Sequence, residues 1–284
     1  MTQNKQIQKI DVEDVIRTKN PRLLKLLPRF VLNYIKRIIH QDEFNEYLLL
    51  TKDFHGHDFV SETLKNFQIQ VISEGVENIP ENGGCIVACN HPLGGIDGIA
   101  VMSEVGSRRK DIKAMVNDIL MNLENIRSLL VPIDKHAKNA AENVIRIDQA
   151  YASDECIIVF PAGLVSRRQK GKINDLEWKK SFITKAKKYQ RDIIPVHIDA
   201  RNSNFFYNLA SFRKMIGIKS NIEMFYLVDE VYRQKGKFIK LTVGKPISYK
   251  AFTKEHSDLV WAAKVKQHVY ELGEGKKKLG SLDF

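Results

Sequence analysis

A histidine and an aspartate in a glycine-rich segment are the residues whose types and spacing best suit chemistry. His91 and Asp97 are separated by five residues in the run Asn-His-Pro-Leu-Gly-Gly-Ile-Asp, residues 90–97. Because imidazole titrates near neutral pH, a histidine can accept the proton of a hydroxyl group. A carboxylate on the other ring nitrogen would fix the tautomer and stabilise the cation. The pair therefore predicts a general base that activates a hydroxyl directly, with no serine nucleophile.

The elements that must position this pair are a strand and the helix that follows it. Apolar runs and amphipathic stretches alternate from about residue 68, which predicts an α/β fold with a mostly parallel central sheet flanked by helices. Ligands of such sheets bind where loops leave the carboxyl ends of the strands. The predicted strands are residues 69–72, 85–89, 112–116, 129–133, 156–160, 193–198 and 238–243, and the predicted helices are 97–105, 117–125, 139–151, 178–189 and 258–272.

Further short blocks lie at or near the ends of later predicted strands. Together with residues 90–97 they resemble, in order, the conserved blocks of the glycerophosphate and lysophosphatidic acid acyltransferase superfamily, over roughly residues 68–250. In that family the first block reads Asn-His, four residues and Asp; here one more residue intervenes, which the glycine pair can absorb as a bulge. The later blocks are Pro132-Ile133-Asp134-Lys135, Phe160-Pro161-Ala162-Gly163-Leu164-Val165-Ser166, Ile193-Ile194-Pro195-Val196 and Gly244-Lys245-Pro246-Ile247.

The resemblance implies that a fatty acyl group moves from a thioester to a lipid hydroxyl, with His91 as the base and Asp97 as its partner. The donor would be acyl carrier protein or acyl-CoA as co-substrate, with no metal and no other cofactor. Backbone amides near Gly94, Gly95 or Gly163 are candidates for stabilising the oxyanion. The resemblance further implies substrate contacts from Asn90, Gly94, Gly95, Asp134, Lys135, Phe160, Pro161, Gly163, Ser166, Arg167 and Arg168.

The third block departs from the family pattern at two positions. The family has Phe-Pro-Glu-Gly-Thr-Arg-Ser, in which the Glu and Arg help to bind the acceptor and the Arg contacts a phosphate; Ala162 and Val165 occupy those places. Valine cannot supply the bidentate contacts of an arginine. Lys135 replaces the arginine of the second block and keeps a point charge. Arg167 and Arg168 can supply the missing charge from a shifted position, or they belong to an exposed basic loop.

The variant Asn-His-Pro-Leu-Gly-Gly with Phe-Pro-Ala-Gly resembles a hemolysin-like branch of the superfamily. That branch includes O-acyltransferases that complete bacterial aminolipids such as ornithine or glycine lipids. Their acceptor is a lyso-aminolipid with a free 3-hydroxyl on its amide-linked acyl chain, which requires no phosphate contact. The resemblance therefore favours a lyso-aminolipid acceptor, with lysophosphatidic acid as the alternative.

The amino-terminal segment has the pattern of a surface-binding helix. At about 100° per residue, seven apolar residues between 21 and 50 share one helical face. Basic residues stand on the opposite face, an arrangement suited to the boundary between acyl chains and anionic headgroups. Packing of the apolar face on the protein core is the alternative. Pro28 breaks or starts a helix, so the stretch forms either two short helices or one. We predict a membrane-docking segment, residues 1–60, and an acyltransferase domain, residues 61–284. The apolar residues are Leu23, Leu27, Phe30, Val31, Tyr34, Ile35 and Ile38.

Charge and composition limit the partners. The chain has 284 residues, a net charge of +11 and 43% apolar residues, which excludes disorder over most of its length and favours an anionic partner. A membrane surface, the acidic acyl carrier protein and nucleic acid all satisfy this; no nucleic-acid-binding motif is present, so nucleic acid is not expected. Neither a signal peptide nor a spanning apolar stretch is visible, which predicts a peripheral protein on the cytoplasmic face of the cell membrane.

Other candidate residues have simpler interpretations. His55 and His57 can ligate a metal, but no third ligand stands at a diagnostic spacing. His197 and Trp178 are expected in the core, and the cysteines 85, 89 and 156 are expected there as reduced thiols. Asn202 and Ser203 follow the fourth block and are candidates for lining the pocket. A hydrolase remains a rival, although no Gly-x-Ser-x-Gly elbow is present.

Overall fold

The protein folds around a seven-stranded sheet, described by a computed structural model over residues 9–133 and 140–275. The strand order is β1-β9-β8-β2-β5-β3-β4, and β1 and β9 run antiparallel to the other five strands. Asp134 and Lys135 lie outside the described residues. The strands are β1 Gln70–Glu74, β2 Cys85–Cys89, β3 Ile112–Val116, β4 Leu130–Pro132, β5 Cys156–Val159, β6 Arg167–Gln169, β7 Lys172–Asn174, β8 Asp192–Asp199 and β9 Phe238–Val243.

Helices cover both faces of the sheet, so the predicted α/β fold with a mostly parallel sheet is confirmed. Alternate residues of β2 enter two different cores, with Val87 on the side of α5 and α6 and Ile86 on the side of α8 and α11. The helices are α1 Val12–Lys19, α2 Pro21–Leu26, α3 Arg29–Ile38, α4 Gln41–Leu50, α5 His57–Asn66, α6 Gly95–Arg108, α7 Ala140–Ala152, α8 Ser181–Tyr189, α9 Asn204–Met215, α10 Leu227–Tyr232 and α11 Asp258–Gly273.

Two predicted helices differ from the observed ones. The segment predicted as a helix over residues 117–125 forms two 3-10 turns, Asp118–Asn122 and Glu124–Leu129, because it must connect neighbouring strands within a short length. Trp178 was expected to begin a helix, but α8 begins at Ser181 and Trp178 lies in the preceding loop. Trp178 is nevertheless buried, as are the three cysteines, which are free thiols.

The amino-terminal segment forms four short helices. Pro28 separates α2 from α3, so this stretch forms two short helices, which is one of the two predicted alternatives. Phe30 and Tyr34 are exposed, whereas Ile38 is buried. Tyr47 of α4 and Phe59 of α5 belong to the main core, and α5 spans the predicted boundary at residue 60. Among the described residues, no helix is both long and apolar enough to cross a membrane.

Candidate active site

The predicted pair lies at the carboxyl end of the central strand β2. His91 follows β2 by two residues, and Asp97 is the third residue of α6. β2 runs parallel to β5 on one side and to β8 on the other, so the loops after all three strands leave the sheet at the same edge. This edge is where ligands of parallel sheets bind.

The two side chains are in contact despite the extra residue between them. His91 Nδ1 lies 3.0 Å from Asp97 Oδ2, which also accepts hydrogen bonds from the backbone N–H groups of Leu93 (2.8 Å) and Gly94 (3.0 Å). The Asp97 side chain is fully buried, whereas that of His91 is 18% exposed. A carboxylate held by two amides thus orients an imidazole whose outer edge reaches solvent.

Gly94 makes the tight turn between the two residues possible. Its φ of 104° and ψ of −131° lie in a region that is nearly closed to residues with a Cβ atom. A Cβ added here would also stand 3.5 Å from both Leu227 and Val165. The second glycine, Gly95, begins α6. The glycine pair therefore accommodates the additional residue and returns the chain so that Asp97 faces His91.

The electrostatics of Asp97 favour its pairing with His91. Burial raises the pKa of Asp97, and the hydrogen bonds from His91 and from the two backbone amides act in the opposite direction. Its second oxygen, Oδ1, has no hydrogen-bond partner among the described residues. When Asp97 is ionised its oxygens can only accept, so His91 then donates Nδ1–H to Oδ2. That tautomer leaves Nε2 with its lone pair, as a general base requires.

Asn90 holds the loop to the neighbouring strand. Its side-chain oxygen accepts from Ile198 N (2.6 Å), and its amide nitrogen donates to Ile198 O (3.0 Å). The side chain thereby extends the pairing of β2 with β8 beyond the last backbone rung. Asn90 was predicted to contact substrate; both ends of its buried amide are engaged with β8.

A buried aspartate that sequence reasoning missed fixes the histidine loop from the other side. Asp175 Oδ1 accepts from His91 N (3.1 Å) and from Ser166 Oγ (2.6 Å), and Asp175 Oδ2 accepts from Trp178 Nε1 (2.8 Å). Ser166 N in turn donates to the His91 carbonyl (2.7 Å). The only sequence signal was a carboxylate three residues before Trp178, in a stretch to which no strand or helix was assigned. Its partner His91 is 84 residues away, so no local pattern reveals it.

The third block brings an aromatic ring onto the histidine. The rings of Phe160 and His91 have centroids 4.4 Å apart and are tilted by 34°. Phe160 accepts a hydrogen bond from Gly163 N (2.9 Å), which closes the turn that also contains the buried Pro161. Since Gly94 N donates to Asp97 and Gly163 N to Phe160, Gly95 is the remaining candidate among the three glycines expected near the oxyanion.

The family's phosphate-binding positions are filled by buried apolar side chains. Ala162 and Val165 are 5% and 1% exposed. Arg167 is also buried, and its Nε donates to Glu223 Oε1 (3.1 Å) while its Nη1 donates to the carbonyl of Val165 (2.6 Å). Its guanidinium is therefore occupied by partners within the fold.

Arg168 is the exposed member of the arginine pair. Its Nη1 donates to Asn208 Oδ1 (2.6 Å) on α9, and its Nη2 approaches Asn204 Oδ1 (3.4 Å). The basic run does not form an open loop, because residues 167–174 pair as the antiparallel strands β6 and β7. Arg167 is therefore buried and Arg168 exposed, a difference that the sequence alone did not predict.

No metal-binding cluster of three or more His, Cys, Asp or Glu residues occurs in the parts of the chain that the structure describes. His57 donates through Nε2 to the carbonyl of Lys110 (2.9 Å). Burial lowers the pKa of His197, which packs edge-on against Tyr270 at a ring distance of 5.7 Å.

Comparison with known proteins places this arrangement in an enzyme class. The profile of a family described as Acyltransferase matches residues 14–274. The chain belongs to that family and is an acyltransferase, as the sequence blocks predicted.

Two relatives are similar over nearly their whole length. A lyso-glycine lipid O-acyltransferase from Phocaeicola vulgatus is 45% identical over 93% of this chain and 95% of its own. A lyso-glycine lipid O-acyltransferase from Bacteroides thetaiotaomicron is 46% identical over 93% of this chain and 97% of its own. Among solved structures, the 1-acyl-sn-glycerophosphate acyltransferase PlsC from Thermotoga maritima matches at 18% identity with a TM-score of 0.49, over 89% of this chain and 91% of its own.

Proposed function

We propose that this acyltransferase moves a fatty acyl group from a thioester to the 3-hydroxyl of a lyso-aminolipid whose headgroup is an N-acylated amino acid, glycine being the best-supported case. The observation that carries the reaction is the contact of His91 with the buried Asp97, which leaves Nε2 free to act as a base at the solvent-facing edge of the site. Glycine is supported by the names of the two relatives, which are 45% and 46% identical to this chain.

The proposed reaction needs no covalent enzyme intermediate. His91 Nε2 takes the proton of the acceptor hydroxyl as its oxygen attacks the thioester carbonyl carbon. Asp97 stabilises the imidazolium that forms. The C–O bond forms, the C–S bond breaks, and the thiolate leaves with the proton that His91 carries. Acyl carrier protein and acyl-CoA both supply such a thioester, and no metal or further cofactor takes part.

The filled phosphate positions support an acceptor without a phosphate. Val165 stands where the family's arginine would contact the phosphate, and the neighbouring Arg167 is buried against Glu223. Since a phosphate ester needs several charge-assisted contacts, lysophosphatidic acid is the weaker candidate. Lys135, outside the described residues, is the one remaining cation from the family's second block.

The experiment that tests this proposal is mass spectrometry of lipids after incubation of the purified protein with acyl-loaded carrier protein, or with acyl-CoA, and two acceptors. The acceptors are N-(3-hydroxyacyl)glycine and lysophosphatidic acid. We expect acylation of the glycine lipid at its hydroxyl and little or none of lysophosphatidic acid. Preferential acylation of lysophosphatidic acid would overturn the acceptor assignment.

We further propose that the protein works on the cytoplasmic face of the cell membrane. Two exposed apolar surfaces adjoin one another: that of α2 and α3, and that of α9 with the residues after it. Tyr226 joins them, since its hydroxyl lies 2.7 Å from that of Tyr34 and its ring packs edge-on against Phe205 at 4.9 Å. We call Leu26, Phe30, Phe212, Met215 and Ile216 the docking patch; their exposed fractions run from 50% to 79%.

Charge around the docking patch suits an anionic lipid surface. Helices α2 and α3 contribute Arg22, Lys25 and Arg29. Helix α9 and the residues after it contribute Lys214 and Lys219. Apolar side chains that insert and cations that stay at headgroup level are the two signals of a peripheral membrane protein. The patch supports the lipid-facing role predicted for the amino-terminal segment and adds α9 to it.

Replacing Phe30 and Met215 together by aspartate is expected to weaken binding to vesicles containing anionic phospholipid by about tenfold or more, because each loses the burial of a large apolar side chain. Sedimentation with vesicles of stated composition measures this. Ile145→Asp is the matched control, since Ile145 is 57% exposed on α7, beside the far edge strand β4. Point substitutions are preferable to deletion, because Tyr47 in the same segment is part of the core. Equal vesicle binding by the double variant and the wild type would contradict the docking role.

A further inference from the structure

A polar cleft lies at the carboxyl end of β8, the strand that pairs with β2. Its volume is about 480 Å³, and it opens between the loop that follows β8 and the end of α10. We call it the β8 cleft. Its principal lining residues are Arg201, Asn202, Ser203, Glu230, Arg233 and Lys237.

The β8 cleft and the His91–Asp97 pair share one edge of the sheet. Ile198 of β8 is bonded on both sides to Asn90, the residue before His91, and Arg201 follows Ile198 by three residues. Adjacent strands are about 4.8 Å apart, so the two loops begin as immediate neighbours. Tyr207 is tied to the loop after β8, since its hydroxyl accepts from Asn202 N at 3.1 Å, and its ring belongs to the same buried cluster as Val165 of the third block. Burial raises the pKa of Tyr207, and the charges of both Arg201 and Asp97 act on it.

The lining of the β8 cleft is predominantly cationic. Three cations face one carboxylate, Glu230, which is buried and already accepts hydrogen bonds from the backbone N–H (2.7 Å) and hydroxyl of Ser203. Arg201 is held by Asn204 Oδ1 at 2.6 Å, and the exposed Arg168 approaches the same oxygen. Arg233 pairs with Asp229 (2.7 Å) outside the lining. The excess positive charge favours an anionic ligand.

Asn202 adds an unsatisfied amide to this charge. The side chain is 2% exposed, and neither its oxygen nor its nitrogen has a hydrogen-bond partner among the described residues. Buried polar groups are almost always hydrogen-bonded, so an amide that lines a cleft without a partner indicates a ligand that supplies one. Asn202 offers both a donor and an acceptor, which matches a ligand amide.

We propose that the β8 cleft binds the amino-acid headgroup of the acceptor, with the cations of Arg201, Arg233 and Lys237 receiving its carboxylate and Asn202 pairing with its amide. The inference rests on the proposed function and names the part of the site that selects the acceptor. An N-acylated amino acid carries a secondary amide next to a free carboxylate. Lysophosphatidic acid has an ester in place of the amide and cannot donate a hydrogen bond there.

The position of the β8 cleft suits an amphiphile with this headgroup. A second cavity of about 290 Å³ shares Arg233 with it and is lined by Tyr34, Phe205 and Tyr226, which connect to the docking patch. A lipid drawn from the membrane would thus place its headgroup in the cationic cleft. Its 3-hydroxyl is only a few covalent bonds from the amide, and it would reach the neighbouring loop that carries His91.

The thioester donor contains the same combination of amide and anion, in the phosphopantetheine arm of acyl-CoA or acyl carrier protein, so the test must separate the two sources. We would measure KM separately for the acceptor and for acyl-CoA in the wild type, Arg201→Ala and Asn202→Ala. We expect the acceptor KM to rise on the order of tenfold to a hundredfold in each variant, as for loss of a hydrogen bond to a charged or buried group. The KM of acyl-CoA should change by less than about twofold, within the effect of a surface substitution.

A modified acceptor makes the assignment specific. The methyl ester of N-(3-hydroxyacyl)glycine lacks the carboxylate, so the wild type should prefer the free acid by about tenfold or more, and Arg201→Ala should lose that preference. Arg108→Ala is the control: Arg108 ends α6, whose 14 residues place it about 20 Å along the helix from the end that holds Asp97. It should retain the wild-type preference.

The outcomes separate failure of this inference from failure of the proposed function. If the wild type acylates the free acid and Arg201→Ala still discriminates against the ester, the β8 cleft does not bind the carboxylate and the inference is overturned. A rise in the KM of acyl-CoA alone would assign the cleft to the donor and also overturn it. If the wild type acylates neither form of the glycine lipid, the proposed function fails first.

Discussion

Replacing His91 with alanine is expected to reduce acyl transfer by a factor of about 10² to 10⁴, because the acceptor hydroxyl loses its general base. The fold should survive, since the described contacts of the His91 side chain are confined to Asp97 and Phe160. Its backbone hydrogen bonds to Asp175 and Ser166 do not depend on the side chain. Initial rates with a saturating thioester donor, together with thermal melting, measure both effects.

His55→Ala is the matched control for this variant. His55 is an exposed histidine in the loop before α5, far along the chain from β2. Its substitution should leave the rate of transfer and the melting temperature unchanged. A His91→Ala protein that melts normally and transfers acyl groups at the wild-type rate would disprove the role of His91.

Substitutions of Asp97 are expected to separate its charge from its geometry. In Asp97→Asn, the amide oxygen can take the place of Oδ2 and accept from His91, Leu93 and Gly94, while the NH2 group occupies the position of Oδ1. The tautomer of His91 would then be preserved and only the stabilising charge removed. We expect a fall in kcat of about a hundredfold, toward the lower end of the range for acid–base catalysis.

In Asp97→Ala the hydrogen bonds are lost as well, and kcat should fall further, by about 10³ to 10⁴. Asp97→Ala also leaves the backbone N–H groups of Leu93 and Gly94 without their acceptor, so this variant should lose about 1–3 kcal/mol of stability. Single-turnover rates and denaturant unfolding measure the two effects. Equal losses of kcat in both variants would show that charge, and not geometry, is the contribution of Asp97.

The sheet was predictable because its strands are strongly patterned. β2, with the sequence Cys-Ile-Val-Ala-Cys, is buried on both faces, and a short apolar run bounded by turn residues predicts such a strand. The same reasoning located β3 and β9 to the residue. It failed over residues 117–125, where local helical preference yields to the need for a short connection between β3 and β4.

The site was only partly predictable. The blocks with His91, Asp97 and Phe160 could be found because their spacing along the chain resembles a known pattern. Asn202 and Ser203 were candidates for a pocket lining because they follow the fourth block, and both line the β8 cleft. Asp175 and the charged residues of the cleft could not be found in this way, since their geometry arises from residues far apart in sequence that meet at one edge of the sheet. The burial of Arg167 beside the exposed Arg168 depends on a partner, Glu223, that is 56 residues away.

The double hydrogen bond between Asn90 and Ile198 has a consequence for selectivity along the acyl chain of the acceptor. It joins the loop that carries His91 to the loop that begins the β8 cleft, so the distance from the proposed headgroup site to His91 would be set by the sheet and not by mobile loops. Such a fixed distance would select the position of the hydroxyl group along the acyl chain. An acceptor with its hydroxyl one carbon nearer to, or farther from, the amide would bind equally well. Its hydroxyl oxygen would, however, lie out of hydrogen-bonding position for His91 Nε2. Regioselectivity would then appear in kcat and not in KM.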